Sequence, residues 1–239
     1  MEREQAVKTT SWMGSITILA TALGPLLGSL LLQWINLREL FIALTAYTVL
    51  SLYLLHVFMP QNRTQLKKFN LRKIIVDYQV ILTNSQFWIH TLAFCFLFSI
   101  LIAWNTLSPF YLMNYLNMNR IQFGWVQLLV YGVFILGINL KELLKLQIEE
   151  IIKTGLFLTI VSFILSALTL IFLPQHFYWV IGNILFFCLS TGFIFYSLYR
   201  KAIEMPKKAP MATTMAVFSM SQNLFGFLGS LMVRKLYFK

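Results

Sequence analysis

The residues of this 239-residue chain with the most chemistry to offer are polar but uncharged, and they sit inside long apolar runs. Ser219, Ser221, Gln222 and Asn223 occupy the middle of one run, and Asn105 and Thr106 precede a Ser108-Pro109 pair in another. Gln127 and Tyr131, four residues apart, share a face of a third. Amides and hydroxyls donate and accept hydrogen bonds without titrating, which suits holding a polar group of a ligand. The same residues also serve as glue between membrane helices, at about 0.6 kcal/mol per contact. Both readings stand for each group. Gly226 and Gly229 favour packing around Gln222 and Asn223, and Gln127 and Tyr131 either line a cavity or pack. Pro109 lacks an N–H and frees the carbonyl of Asn105, so it bends its helix beside a cavity, as a gate does, or fits it around a neighbour.

Other chemistries lack their residues. Asp and Glu are absent from every long apolar run. His56, His90 and His176 stand at run edges or in a short loop without ligand spacing, and read as interfacial structural residues. Cys95 and Cys188 lie in separate apolar runs with no metal or redox spacing and read as packing residues. No His/Asp/Glu or Ser/His/Asp constellation points to an enzyme, and no metal site or cofactor is expected. The net charge of +11 does not signal nucleic acid, because Lys and Arg sit in short segments between apolar runs.

The elements that must position these groups are membrane helices. The chain is 59% hydrophobic and 11% charged, with mean hydropathy +0.74. Seven windows are long enough for a bilayer core of about 30 Å: 12–33, 40–59, 88–113, 123–140, 154–173, 178–198 and 212–233. Aromatic residues such as Trp12, Trp34, Trp88, Trp125 and Trp179 cluster near their ends as interfacial anchors do. The expected fold is an all-α membrane protein of about seven spans. With a cytoplasmic N-terminus, fourteen Lys and Arg fall inside and five outside (Arg38, Arg120, Arg234, Lys235 and Lys239), as the positive-inside rule asks.

Three further stretches shape the expectation. Gly24-Pro25-Leu26-Leu27-Gly28-Ser29 lies in an uncharged run from Ser11 to Ile35. Proline there is tolerated in lipid, and Ala20, Gly24 and Gly28 form a smooth stripe for a close helix contact. Residues 60–86 begin polar and basic and then turn apolar, which reads as a cytoplasmic connector between two lobes. In Glu142–Lys153, Leu144, Ile148, Ile151 and Ile152 share one face opposite Lys145, Glu149 and Lys153. That periodicity predicts an interfacial amphipathic helix, the alternative being a solvated loop with a helical turn or two.

Several of these segments resemble the Bcr/CflA drug:proton antiporter branch of the major facilitator superfamily. Ala20-Thr-Ala-Leu-Gly24-Pro25-Leu-Leu-Gly28-Ser29 is similar to the antiporter motif of that branch's fifth helix, with Ala20 and Ser29 replacing two usual glycines. Trp34-Ile-Asn-Leu-Arg38-Glu-Leu-Phe41 resembles the opening of the sixth. Tyr78-Gln-Val-Ile-Leu-Thr-Asn-Ser-Gln-Phe87 resembles the approach to the seventh, and Ser108-Pro109-Phe110 its end. Phe123-Gly124 matches the start of the eighth, and Ala212-Thr-Thr-Met-Ala216 with Gln222-Asn223-Leu-Phe-Gly226 resembles the eleventh.

The resemblance implies two six-helix lobes rocking around a midplane site in a bacterial inner membrane. It also implies a small hydrophobic or amphipathic drug-like substrate exchanged for protons. Residues 1–59 would be the last two helices of the first lobe and 87–239 the second lobe without its last helix. The loop signature Gly-x-x-x-Asp-Arg-x-Gly is absent, and Asn139-Leu-Lys-Glu-Leu-Leu-Lys145 has drifted from the related pattern. Without an intramembrane carboxylate, this polypeptide alone is not expected to be proton-coupled. Three alternatives stay open: an inactive remnant of a split gene, a subunit needing a partner chain, and a stand-alone seven-helix receptor or enzyme.

Overall fold

The computed structural model describes residue 16 and residues 19–21, 23–59, 71–144, 146–172, 177–206 and 209–237. All regular structure among the described residues is helical. The order is α1 (Leu19–Leu31), α2 (Leu37–Phe58), α3 (Leu71–Leu82), α4 (Ser85–Pro109, continued as a π-helix over Phe110–Tyr115), α5 (Arg120–Leu144), α6 (Ile148–Phe172), α7 (Phe177–Glu204) and α8 (Met211–Tyr237). Six of these, α2 and α4–α8, are long and apolar enough to cross a membrane by length and composition. The window expected at 12–33 overlaps the shorter α1, and its first residues lie outside the described ones.

Side-chain caps set the helix starts. Asn84 Oδ1 accepts the Phe87 N–H at 3.0 Å and begins α4. Asn119 and Gln122 exchange backbone–side chain bonds of 2.8 and 3.0 Å at the head of α5, a capping box with Gln in the reciprocal position. The same device corrects the expectation for Glu142–Lys153. That stretch is not one amphipathic helix: α5 ends at Leu144 and α6 begins at Ile148. The Glu150 carboxylate accepts the Gln147 N–H at 3.0 Å, and Glu149 and Glu150 place negative charge in the first turn, where the helix dipole favours it. Ile151 is buried as part of a spanning helix, while Lys145 lies outside the described residues.

α4, α5, α7 and α8 share an aromatic hub. Phe94 meets Phe195 with ring centroids 4.1 Å apart and Phe218 at 4.8 Å, Phe134 meets Phe195 at 5.3 Å, and Tyr199 meets Phe218 at 5.1 Å. α6 packs on α7, with Phe163 on Phe187 at 5.7 Å. Where α5 crosses α7, Gly137 and Gly192 bring the backbones together. A Cβ on Gly137 would collide with the Leu189 carbonyl oxygen, and one on Gly192 with that of Phe134. Such contact without side chains is how membrane helices gain dispersion energy that lipid cannot supply. Cys95 and Cys188 are buried and unpaired by disulfide, as packing residues are. By contrast, α2 buries no residue.

On the Ala20/Gly24/Gly28 stripe, no described atom lies within 4 Å of a Cβ built on Gly24 or Gly28. α1 is held from its other side, where Leu26 Cα and Ser29 Oγ stand 2.9 and 3.0 Å from a Cβ on Gly124 of α5. Residues 60–70 lie outside the described residues, and 71–82 of the expected connector form α3 against α4 and α8.

Two ties gather helix ends to one end of the bundle. Lys201 Nζ donates to Glu149 Oε1 at 3.2 Å, joining the end of α7 to the start of α6. Asn84 Nδ2 donates to the Met205 carbonyl at 3.4 Å, joining the start of α4 to the segment between α7 and α8. Arg72, Lys73, Lys153, Arg200 and Lys201 lie toward that end together with Asp77, Glu149, Glu150 and Glu204, so Lys and Arg concentrate there with Arg200 and Lys201 paired to carboxylates.

Candidate functional site

The last two turns of α4 carry Asn105, Thr106 and Ser108, and α5 runs back antiparallel within side-chain reach of them. Two hydrogen bonds cross between the helices. Tyr131 Oη donates to Asn105 Oδ1 at 2.6 Å, and one turn further on Gln127 Nε2 donates to Ser108 Oγ at 2.6 Å. Asn105 and Ser108 are three residues apart and Gln127 and Tyr131 four, so each pair occupies one helix face and the bonds stack as rungs. Ser108 is fully buried and Gln127 is 1% exposed, whereas Asn105 is half-buried.

The ladder is not fully satisfied. Gln127 Oε1 is buried and has no hydrogen-bond partner among the described residues. Turning the amide over would leave its nitrogen in the same position with the same lack. Trp104 Nε1 is likewise buried without a partner, one residue before Asn105. Beside the ladder, Thr106 Oγ1 bonds the Ile102 carbonyl at 2.9 Å and lies 3.2 Å from Ser230 Oγ on α8. Asn105 and Thr106 thus divide between the α5 side and the α8 side of α4.

Backbone chemistry marks the same place. Pro109 offers no N–H to the carbonyl four residues back. Directly after it the chain widens into the π-helix Phe110–Tyr115, closing with the Leu116 N–H on the Tyr111 carbonyl at 3.1 Å. Asn117 follows with φ 53°, a left-handed conformation that asparagine tolerates better than most residues. Single π turns inside membrane helices frequently accompany functional sites. Ser-Pro was the sequence signal for a bend, but nothing local marked a π-helix.

Of the residues singled out in the sequence, the structure joins Asn105, Ser108, Gln127 and Tyr131. It does not bring the α8 group to them. Ser219 and Asn223 are exposed and Gln222 half-buried, while Ser221 Oγ turns back to the Val217 carbonyl at 2.9 Å. α8 meets α4 through Phe218, Gly226 and Gly229, a stripe on which half-buried Gln222 also falls, while Ser219 and Asn223 lie along its margin. Ala216, Ser219, Asn223 and Ser230 fall along one edge of α8, the edge that ends at Thr106. Sequence reasoning named no polar residues on α6 and α7, yet Asn183 Nδ2 donates to Thr169 Oγ1 there at 2.6 Å. No group of three or more His, Cys, Asp or Glu residues able to hold a metal occurs among the described residues.

The model of the Major Facilitator Superfamily matches residues 1–230, so the chain belongs to that superfamily of transporters. It is 26% identical over 234 residues to the chloramphenicol resistance protein CraA of Acinetobacter baumannii, covering 97% of this chain and 56% of that protein. It is 24% identical over 227 residues to the multidrug transporter MdfA of Edwardsiella ictaluri (92% and 55%), and 23% over 194 residues to MdfA of Escherichia coli (80% and 47%). The chain spans about half the length of the curated relatives it matches. It is a multi-pass helical membrane protein of the transporter class.

Proposed function

We propose that this chain takes part in efflux of small drug-like molecules across a bacterial inner membrane, and that the α4–α5 ladder contributes to the substrate-contacting wall. The observation that carries this reading is the buried, incompletely satisfied Gln127 beside half-buried Asn105 and buried Tyr131, in a chain whose relatives are named for chloramphenicol resistance and multidrug transport. Polar groups within membrane helices are costly, and they persist where they pack or bind. Ser219 and Asn223 on the exposed edge of α8, with half-buried Gln222 beside them, would form a second polar wall. Partners would be the bilayer, an amphipathic drug and, in an intact member of the antiporter branch this chain resembles, protons.

The finer placement belongs to the same proposal. The resemblance to the Bcr/CflA branch supports reading the helices as five to eleven of twelve, with residues 1–59 in the first lobe, 60–86 as connector and 87–239 in the second. The concentration of basic residues at one end of the bundle supports a cytoplasmic N-terminus. A second reading, assembly with further helices supplied by another polypeptide, is favoured by α2, a 22-residue apolar helix that buries no residue in this chain.

The test is intracellular chloramphenicol accumulation in bacteria lacking their own exporters. The chain would be expressed alone and alongside the N-terminal half of the Edwardsiella MdfA. Lower accumulation in either case supports the transport reading, and lower accumulation only in the second supports assembly. Unchanged accumulation in both, with the protein present in the membrane, contradicts it.

A further inference from the structure

We propose that α3 is an interfacial anchor that docks its end of the bundle onto the anionic lipid headgroups of the adjoining leaflet. At 12 residues α3 is about 18 Å long, too short to cross a bilayer core of about 30 Å. Its surface divides into three sectors. Ile81 is fully buried, and Ile74, Asp77 and Tyr78 beside it are half-buried, forming the side held against α4 and α8. Next to that side runs an apolar strip of Leu71, Ile75 and Leu82, which are 63%, 55% and 52% exposed. The remaining arc carries Arg72, Lys73 and Gln79, all exposed, with exposed Val76 and half-buried Val80 among them.

A helix resting on protein in water would show a polar surface beside its contact face. Here one flank of the contact is apolar, and Lys73 stands on the side of the helix directly away from that strip. That is the arrangement of a helix lying in the membrane plane, apolar strip in the acyl boundary and cations at the headgroups.

A separate contact fixes its depth. Trp88 Nε1, in the first turn of α4, donates to the Leu82 carbonyl at 2.9 Å. Trp concentrates at membrane–water interfaces, where its ring is apolar and its N–H needs a polar partner. The bond therefore pins the end of α3 at the level where spanning helix α4 enters the bilayer.

The charge balance selects the lipid. Asp77 is the sole carboxylate of residues 60–86, against Arg72 and Lys73 on α3 and Arg63, Lys67 and Lys68 in the sequence leading to it, which lie outside the described residues. Polybasic segments beside spanning helices are drawn to anionic leaflets. The anchor is independent of what the protein transports.

The test reconstitutes the full chain in vesicles of phosphatidylcholine, or of equal parts phosphatidylcholine and phosphatidylglycerol, with an environment-sensitive fluorophore on Ile75→Cys. Both native cysteines are buried and off α3. Leu71→Cys reports the other end of the strip, and Gln79→Cys the polar arc. The expected result is quenching of labels 71 and 75 by lipids brominated near the headgroup, at least twofold stronger with phosphatidylglycerol and lost with Arg72→Gln/Lys73→Gln. Label 79 is expected to be quenched by aqueous iodide instead. Iodide quenching of labels 71 and 75 in both lipids would overturn the proposal. So would equal bromine quenching in both lipids, or shielding of both labels from bromine and iodide alike, which would mean a protein covers the strip.

Discussion

Replacing Gln127 by leucine separates a packing residue from one kept for a ligand. In the structure Gln127 makes one hydrogen bond, to Ser108, and leaves one buried polar atom without a partner. The bond is worth about 0.6 kcal/mol by the membrane average, while an unsatisfied buried polar atom costs about 1–3 kcal/mol. Leucine removes both at similar volume, and Ser108 can turn its hydroxyl to the carbonyl one turn back in α4. The balance is a gain of about 1 kcal/mol for Gln127→Leu. For a chain of this size that raises the melting temperature by about 2–4 °C. The assay is thermal unfolding of the purified protein in detergent, followed by SDS titration for the free-energy difference. If the variant is instead destabilised by about 1 kcal/mol or more, the free amide atom has a partner and Gln127 is structural.

The Tyr131–Asn105 bond of 2.6 Å should give a coupling of about 0.6 kcal/mol, and no more than about 1.7, in a double-mutant cycle of Tyr131→Phe and Asn105→Ala. A coupling near zero would deny the bond in the folded protein. Gly192→Ala drives a methyl into the Phe134 carbonyl and should cost about 1–3 kcal/mol or more in SDS titration. Gly182→Ala, with no atom within 4 Å, should be neutral or slightly stabilising; equal effects would refute the close α5–α7 crossing. Gly124→Leu should disrupt the chain's own fold, because its Cβ would stand 2.9 Å from Leu26 Cα, while Gly24→Leu should leave its melting temperature unchanged. If Gly24→Leu abolished transport without unfolding this chain, the stripe would be shown to meet helices outside it.

Apolar length made the spans legible, since few sequences other than membrane helices keep charge out of runs such as 88–113. The pairing of Gln127 with Tyr131 on one face followed from helical periodicity, and Ser108-Pro109 drew attention to the right end of α4. Their partners did not follow, because which face of α5 meets α4 is a tertiary fact. Periodicity misplaced the interfacial amphipathic helix: 142–153 has the right spacing, but the Glu150–Gln147 bond starts a spanning helix inside it. α3 carries a short amphipathic pattern that blended into a segment read as a connector. Gly137 and Gly192 looked like ordinary glycines, since the carbonyls they admit come from residues distant in sequence. The α8 group was visible as polar residues in an apolar run, but its exposure required knowing that α8 packs through Val217 and Phe218.

The most direct test of the α4–α5 ladder as a substrate wall is equilibrium binding of radiolabelled chloramphenicol to the purified protein in lipid nanodiscs. Saturable binding that weakens about tenfold in Asn105→Ala, a loss of about 1.4 kcal/mol, with melting temperature little changed, is the expected result. Saturable binding of equal strength in wild type, Asn105→Ala and Tyr131→Phe, or no saturable binding by a folded wild type, would contradict it.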